Sequence, residues 1–179
     1  LEQFEKYSSL IKGLYAADIR LRLQALLKLK DAQDPSLLES FFYLLEDPSS
    51  EIRCSSLEAI SILVDLPGAD SEHDNHDLMD EFDEESRKSP TEKKLSVVQI
   101  IGDEKSSKAQ VVINLLNDSS TDVKVSAIHL LQELKKVKAG ELVLALVDHK
   151  SIDVKMAVIE YVEQMETPGA IKIMIELSG

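Results

Sequence analysis

The stretch VVINLLNDSSTDVKVSAIHLL, residues 111–131, contains the pattern that decides the fold. An apolar run ends in the short polar turn Asp118-Ser-Ser-Thr-Asp, and a second apolar pattern begins at Val123. After Val123, apolar residues recur at offsets of four, five and eight. This is the spacing of one helix face and differs from the alternation of a strand. The stretch therefore predicts a helix, a short turn and a second helix.

This helix–turn–helix pattern recurs along the chain. The first apolar residues after successive turns are Leu21, Ile52, Val123 and Val154, which are 31, 71 and 31 residues apart. A further repeat anchored at Glu92 divides the long spacing into 40 and 31, so nine extra residues explain the irregularity. We predict an all-α fold: a right-handed solenoid of about five helix pairs with a period near 31 residues. Residues 1–179 are predicted to form this single domain, with an acidic insertion near 66–88.

Two sets of equivalent positions support the repeat. The residue after each anchor is basic in every repeat, and carboxylates stand in the turns five or six residues before the anchors. We expect these groups to pair as a ladder that links neighbouring repeats, with a row of anion-binding side chains as the alternative. The ladder residues are Arg22, Arg53, Lys93, Lys124, Lys155, Asp47, Asp118 and Asp148. The residues expected to be buried between layers are Leu26, Leu29, Leu57, Ile60, Val97, Ile100, Ile128, Leu131, Ile159 and Val162.

The turn motifs resemble those of a known family. Glu51-Ile52-Arg53, Asp122-Val123-Lys124 and Asp153-Val154-Lys155, each with a small or modest residue four after the anchor, resemble the HEAT-repeat superfamily. The motifs especially resemble short bacterial HEAT-like repeats of the phycobilisome-lyase type. The third repeat departs from the pattern because Glu92 replaces an aliphatic residue. The resemblance implies a non-catalytic protein-interaction scaffold; the alternative is an accessory enzyme subunit resembling a bilin lyase, which needs a bilin-sized apolar groove.

Composition narrows the class of partner. With 33 acidic against 20 basic residues, the formal net charge is −13, which repels nucleic-acid phosphates and anionic lipid surfaces. The chain has no Trp, which also disfavours a HEAT-like DNA glycosylase with an aromatic-lined cationic cleft. No apolar run approaches the roughly 18 residues that would span a bilayer. We therefore expect a protein partner with a basic surface, and the sequence leaves the oligomeric state open.

The second-helix face is the expected binding surface, because one layer of helices forms the concave side of a curved array. Its candidate contact residues lie at non-core positions and can alternatively be plain solvated side chains. They are Glu58, His129, Gln132, Glu133, Glu160 and Glu163.

The sequence offers little material for chemistry. His73 and His76 lie among carboxylates in the insertion, but nothing apolar flanks them, so we interpret them as part of a solvated loop and predict no metal. The excess residues between Pro67 and Asp77 are expected to be mobile, and residues 78–82 to form a degenerate first helix or a docking segment. No phosphate loop, nucleophile elbow or His-Glu pair is present, so we predict no cofactor and no enzymatic activity.

Compartment and chain ends give weaker indications. The single cysteine, Cys54, rules out an intramolecular disulfide framework, and we expect a cytoplasmic protein. No signal peptide is visible, although the chain begins at Leu1 and processing can remove one. Residues 171–177 are expected to form a first helix without its partner, as a half-repeat cap or at the cut end of a longer array.

Overall fold

All regular structure in the described part of the chain is helical. The computed structural model describes residues 2–64, 107–134 and 139–165. In chain order the helices are α1 (Glu2–Gly13), α2 (Ile19–Asp31), α3 (Leu38–Leu44), α4 (Ser50–Val64), α5 (Ser107–Asn114), α6 (Thr121–Glu133), α7 (Gly140–Leu144) and α8 (Ile152–Met165). A 3₁₀ turn, Pro35–Leu37, precedes α3, and another, Leu115–Asn117, follows α5.

The described helices form four pairs that are arranged in two layers. Each first helix (α1, α3, α5 and α7) packs against the second helix that follows it, and the second helices α2, α4, α6 and α8 contact one another in that order. This arrangement confirms the prediction of an all-α solenoid. Each helix pair packs mainly against the neighbouring pairs. The stability of the array is therefore close to the sum of the contributions of the individual pairs and of the interfaces between them.

Carboxylate side chains begin two of these elements. The Asp18 carboxylate accepts a hydrogen bond from the backbone N–H of Arg20 at 2.9 Å at the start of α2. Hydrogen bonds from the Arg20 side chain and backbone lower the pKa of Asp18. Asp34 caps the Pro35–Leu37 turn in the same way, accepting from Ser36 at 2.9 Å. Such caps satisfy N–H groups that have no partner within the helix.

The core follows the predicted helical stripe. The fully buried members, each at most 1% exposed, are Leu26, Leu29, Leu57, Ile60, Ile128, Leu131 and Val162. Ile159 is only partly buried, so its assignment to the core was wrong, and its neighbour Val158 is buried instead. Val97 and Ile100 lie outside the described residues.

Small residues allow the helices of the stack to approach closely. Ala25, Ser56 and Ala127, which are equivalent in three repeats, are buried. A Cβ atom placed on Gly13 would lie 2.9 Å from the Cβ of Ala25. Helices α1 and α2 therefore approach each other closely at two residues with little or no side chain. The buried hydroxyl of Ser56 donates to the carbonyl oxygen of Ile52 at 2.8 Å, which satisfies it within α4.

The stack differs from the prediction at its centre, where α4 contacts α6 directly. Sγ of Cys54 lies 3.2 Å from Oγ of Ser126, and the Ser61 hydroxyl donates to Glu133 at 2.6 Å. The described helices α4 and α6 are therefore direct neighbours, whereas spacing along the chain predicted a repeat anchored at Glu92 between them. Helix packing, rather than spacing along the chain, decides which repeats are neighbours. Glu92, Lys93 and the insertion near 66–88 lie outside the described residues.

Candidate interaction surfaces

The turns between first and second helices are joined by a partly buried ion pair. Arg22, in the first turn of α2, donates from Nε to Oδ2 of Asp47 at 2.8 Å and from Nη2 to Oδ1 at 3.1 Å. Its Nη1 atom donates to the backbone carbonyls of Ala16 and Ala17 at 2.9 and 3.0 Å. One guanidinium therefore closes its own turn and binds the turn of the next repeat.

Arg53 repeats this geometry one repeat later. Its Nε and Nη2 atoms donate to the two oxygens of Asp118, both at 2.8 Å. Nη1 donates to the carbonyl oxygens of Asp47 and Pro48 at 2.7 and 3.2 Å. Since both arginines use their donors within the turns, they hold the array together and do not form a row of anion sites.

The carboxylates of this ladder also organise the turns. Oδ1 of Asp47 accepts from the N–H of Ser49, and Oδ1 of Asp118 accepts from the N–H of Ser120, each at 2.8 Å. The Asp118 side chain is 8% exposed and that of Arg53 is 11% exposed. Burial on its own would raise the pKa of Asp118, but the hydrogen bonds from Arg53 and Ser120 outweigh it, so the pKa is lowered.

The third turn breaks the pattern. Asp148 and Lys124 were both expected to belong to the ladder, but among the described residues neither side chain makes an ion pair. The residue five before the anchor, equivalent to Asp47 and Asp118, is His149, and its Nδ1 accepts from the N–H of Ser151 at 3.1 Å. Asp148 was assigned to the ladder in error because it lies one residue too early. Within the described chain Lys155 makes no ion pair either.

The exposed side of the second helices carries most of the predicted contact residues. Glu58, His129, Glu160 and Glu163 are exposed. Three of them also link neighbouring helices: Glu58 accepts from Lys30 at 2.6 Å, and Nε2 of His129 lies 3.4 Å from Glu160. These pairs are open to solvent, so each stabilises the stack by less than about 1 kcal/mol.

Two predicted contact residues are placed elsewhere. Gln132 is 8% exposed, so it is buried and cannot be a main contact. Glu133 is partly buried and accepts the Ser61 hydroxyl, which assigns it to the α4–α6 interface. Both lie where α6 meets its neighbour, and counting from the anchor did not separate these positions from the free face.

Acidic side chains dominate the second-helix face, defined as the exposed side of α4, α6 and α8. Its exposed carboxylates are Glu51, Glu58, Asp122, Asp153, Glu160 and Glu163. The three helices contain only Arg53, Lys124 and Lys155 as Lys or Arg. Arg53 is held in the turn ladder, and Lys124 and Lys155 are only partly exposed. The apolar side chains of Leu23, Cys54 and Val125 are partly buried beside this face, and Met156 is exposed. The face thus combines negative charge with a narrow apolar strip.

A cavity on the first-helix side was not anticipated from the sequence. It has a volume of about 510 Å³ and is lined by Tyr15, Glu39, Ser40, Phe42, Tyr43, Glu46, Lys108 and Val111. The rings of Tyr15 and Tyr43 lie with their centroids 4.9 Å apart at an angle of 49°. These tyrosines are 28 residues apart, as are Lys30 and Glu58, which also meet across neighbouring repeats. A search for exposed residue types at this separation could have found the site.

Neither a metal site nor a membrane-spanning helix is found among the described residues. Residues 2–64, 107–134 and 139–165 contain no group of three or more His, Cys, Asp or Glu side chains placed to hold a metal ion. The candidate histidines His73 and His76 lie outside these ranges. None of the described helices combines the length and the apolar character needed to cross a bilayer.

Comparison with known proteins supports the fold. A protein-family model described as HEAT repeats matches residues 109–179. This part of the chain is similar to HEAT repeats. No sequence among the curated proteins matches the chain.

Solved structures extend the likeness over most of the chain. An engineered protein solved as a Northeast Structural Genomics Consortium target is 14% identical, with a TM-score of 0.57, over 96% of this chain and 67% of that one. A designed armadillo repeat protein in complex with the peptide (KR)4 is 15% identical over 96% of this chain and 91% of that one. Its TM-score of 0.36 is too low to support an argument. At this identity the first match supports the fold alone, and neither these two structures nor the family model shows a resemblance to phycobilisome lyases.

Proposed function

We propose that this chain is a non-catalytic interaction scaffold that binds a protein partner with a basic surface through its second-helix face. The observation that carries the proposal is the exposed carboxylate row on α4, α6 and α8, from Glu51 to Glu163. The only Lys or Arg residues of these helices are Arg53, which is held in the turn ladder, and Lys124 and Lys155, which are partly buried. Such a face concentrates negative potential and attracts a complementary partner.

The shape of the array supports an extended contact. Stacked second helices present equivalent side chains at regular intervals, which suits a ligand that runs along several repeats. Partly buried Leu23, Cys54 and Val125 and exposed Met156 lie beside the carboxylates. Apolar atoms between charged groups provide the area that a lasting complex must remove from water, while the rim charges set the association rate.

A scaffold role also agrees with how the chain's reactive side chains are used. His129 lies beside Glu160, His149 caps a turn, and Cys54 contacts Ser126 between two helices. Each of these contacts has a structural explanation. The bilin-lyase alternative gains no support from the 510 Å³ cavity, because Glu39, Glu46 and Lys108 line it. We retain the cytoplasm as the proposed compartment, on the single cysteine alone.

Charge reversal on the second-helix face tests the proposal. A partner is first captured on the immobilised chain and identified by mass spectrometry, and its affinity for purified wild-type protein is then measured at two salt concentrations. We expect Glu160→Lys/Glu163→Lys to weaken binding at least tenfold, chiefly through slower association, and the wild-type affinity to fall as salt rises.

The matched control is Glu141→Lys/Asp148→Lys, which makes the same change of charge at two exposed positions outside the face. It should weaken binding less than threefold. Equal losses in the two double variants would show that only net charge matters, and salt-independent binding would contradict the electrostatic part of the proposal.

A further inference from the structure

Tyr15 and Tyr43 are exposed aromatic residues on the first-helix side of the stack. They are 56% and 59% exposed although their rings contact each other. Tyr15 follows α1 and Tyr43 lies in α3, so the stack of repeats brings the two rings together at the cavity. Exposed tyrosines offer flat, rigid faces that bind a second planar or cationic group with little loss of conformational freedom.

The charged residues that line the cavity beside the two tyrosine rings are two glutamates and one lysine. Glu39 is bonded to Lys108, so these two charges offset each other. Glu46 is exposed at the cavity and makes no ion pair with any described residue. The cavity therefore has a surplus negative charge close to two aromatic faces.

Lys108 illustrates the chemistry that this cavity supports. Its ammonium group lies 5.7 Å from the centroid of the Phe42 ring while it binds the Glu39 carboxylate. A cation here thus contacts an aromatic face and a carboxylate at the same time. Tyr43 and Glu46 offer the same two groups to a cation that comes from outside the chain.

We propose that the cavity formed by Tyr15, Tyr43 and Glu46 binds an arginine side chain of a protein partner. A guanidinium can stack on a tyrosine ring through its flat face and donate two hydrogen bonds to a carboxylate. Lysine lacks this planar fork and should bind more weakly, and the surplus negative charge disfavours anionic ligands. The proposal rests on the proposed function and adds a second contact site on the opposite layer of helices.

The test uses a small probe and a signal from the cavity itself. The chain has four tyrosines, of which Tyr7 and Tyr161 are buried. The ring resonances of ¹³C-labelled tyrosine are followed by NMR while Nα-acetyl-arginine-N-methylamide is added. We expect saturable shifts of the Tyr15 and Tyr43 rings and no comparable shifts of the buried pair. The citrulline analogue, which has nearly the same shape without the charge, should cause less than one-fifth of the shift at equal concentration.

Two variants separate this site from the second-helix face. Glu46→Gln should weaken arginine binding about threefold, whereas Glu160→Lys/Glu163→Lys should leave it unchanged. Absent shifts, equal shifts with citrulline, or no effect of Glu46→Gln would overturn the inference. The inference would also be overturned if the ring resonances shifted with the concentration of the protein and not with that of the probe. A second copy of the chain would then fill the cavity. The two proposals can fail separately. If the arginine probe did not bind but Glu160→Lys/Glu163→Lys still weakened binding of the protein partner, the proposed function would stand without this second site.

Discussion

Arg53 and Asp118 are 65 residues apart in the chain, yet they form two hydrogen bonds in a largely buried pair. The carboxylate faces a guanidinium and a backbone N–H, so removing it leaves a largely buried guanidinium without its counter-charge. The equivalent pair Arg22–Asp47 has the same geometry. At the scale of residues, this motif is the most specific link between neighbouring repeats.

Asp118→Ala should lower the free energy of unfolding by about 3 kcal/mol, because it leaves Arg53 unpaired and removes the Ser120 cap. Urea unfolding followed by circular dichroism measures the change. The control is Asp148→Ala, an exposed turn carboxylate outside the ladder, which should cost less than about 0.5 kcal/mol. Comparable losses in both variants would contradict the assignment of the ladder.

The pH dependence of this difference has a definite sign. The pKa of Asp118 is lowered from 3.8, since hydrogen bonds from Arg53 and Ser120 favour the charged form despite burial. Its stabilising contribution is therefore complete above 3.8 and is lost as the pH falls through the lower, folded-state pKa. The stability gap between wild type and Asp118→Ala should be constant from neutral pH down to about pH 5 and should narrow towards about pH 2. A gap that widened in acid would contradict this account.

The incomplete third turn can be converted into a ladder pair. Lys124→Arg supplies the planar fork, and His149→Asp supplies a carboxylate at the position equivalent to Asp47 and Asp118. The double variant should gain about 1 kcal/mol beyond the sum of the single changes, as a double-mutant cycle in urea would measure. Combining Lys124→Arg with Lys150→Asp, a carboxylate one position too late, should give no coupling.

At the scale of helices, burial of one apolar face explains why each second helix forms. Leu57, Ile128 and Val162 are each at most 1% exposed, and they occupy the stripe that the offsets five and eight predict. Helices of this length owe most of their stability to such packing rather than to intrinsic propensity. Stability should therefore depend strongly on core positions and weakly on exposed ones.

Ile128→Ala and Ile152→Ala make the same chemical change in two environments. Ile128 is fully buried in α6 and Ile152 is 75% exposed at the start of α8. The first should cost about 2 to 5 kcal/mol by loss of burial and formation of a cavity, and the second less than about 0.5 kcal/mol. Thermal or urea unfolding distinguishes them, and similar costs would contradict the repeat alignment.

Whether a contact between helices could be predicted from the sequence depends on how far apart its residues lie along the chain. Periodicity predicted the core stripe and the Arg22–Asp47 pair because both are set within one repeat or its next neighbour in sequence. It could not predict that Arg53 pairs with Asp118, because this depends on which helix pairs are stacked in space. One-residue offsets decided between Asp148 and His149, and a small angular difference on α6 decided that Gln132 is buried.

At the scale of the molecule, the array is a line of four described helix pairs with different chemistry on its two layers. The second-helix face carries carboxylates, whereas the first-helix side carries the cavity with Tyr15 and Tyr43. The cavity escaped prediction because its residues come from separate repeats and have no common motif. Both sites depend on the same stacking order, since each is formed by side chains of adjacent repeats.

Direct stacking of α4 on α6 determines the order of the repeats in the whole array. This contact can be tested by introducing one new cysteine. Sγ of Cys54 lies 3.2 Å from Oγ of Ser126, and Cys54 is the only cysteine in the chain. Under mild oxidation Ser126→Cys should form an intramolecular disulfide, detected by mass spectrometry of non-reduced proteolytic peptides. The control Ser119→Cys, in the turn before α6, should remain reduced. If the monomeric Ser126→Cys protein kept both thiols free, direct stacking of α4 on α6 would be contradicted. Two free thiols are the result expected if a further helix pair separated α4 from α6.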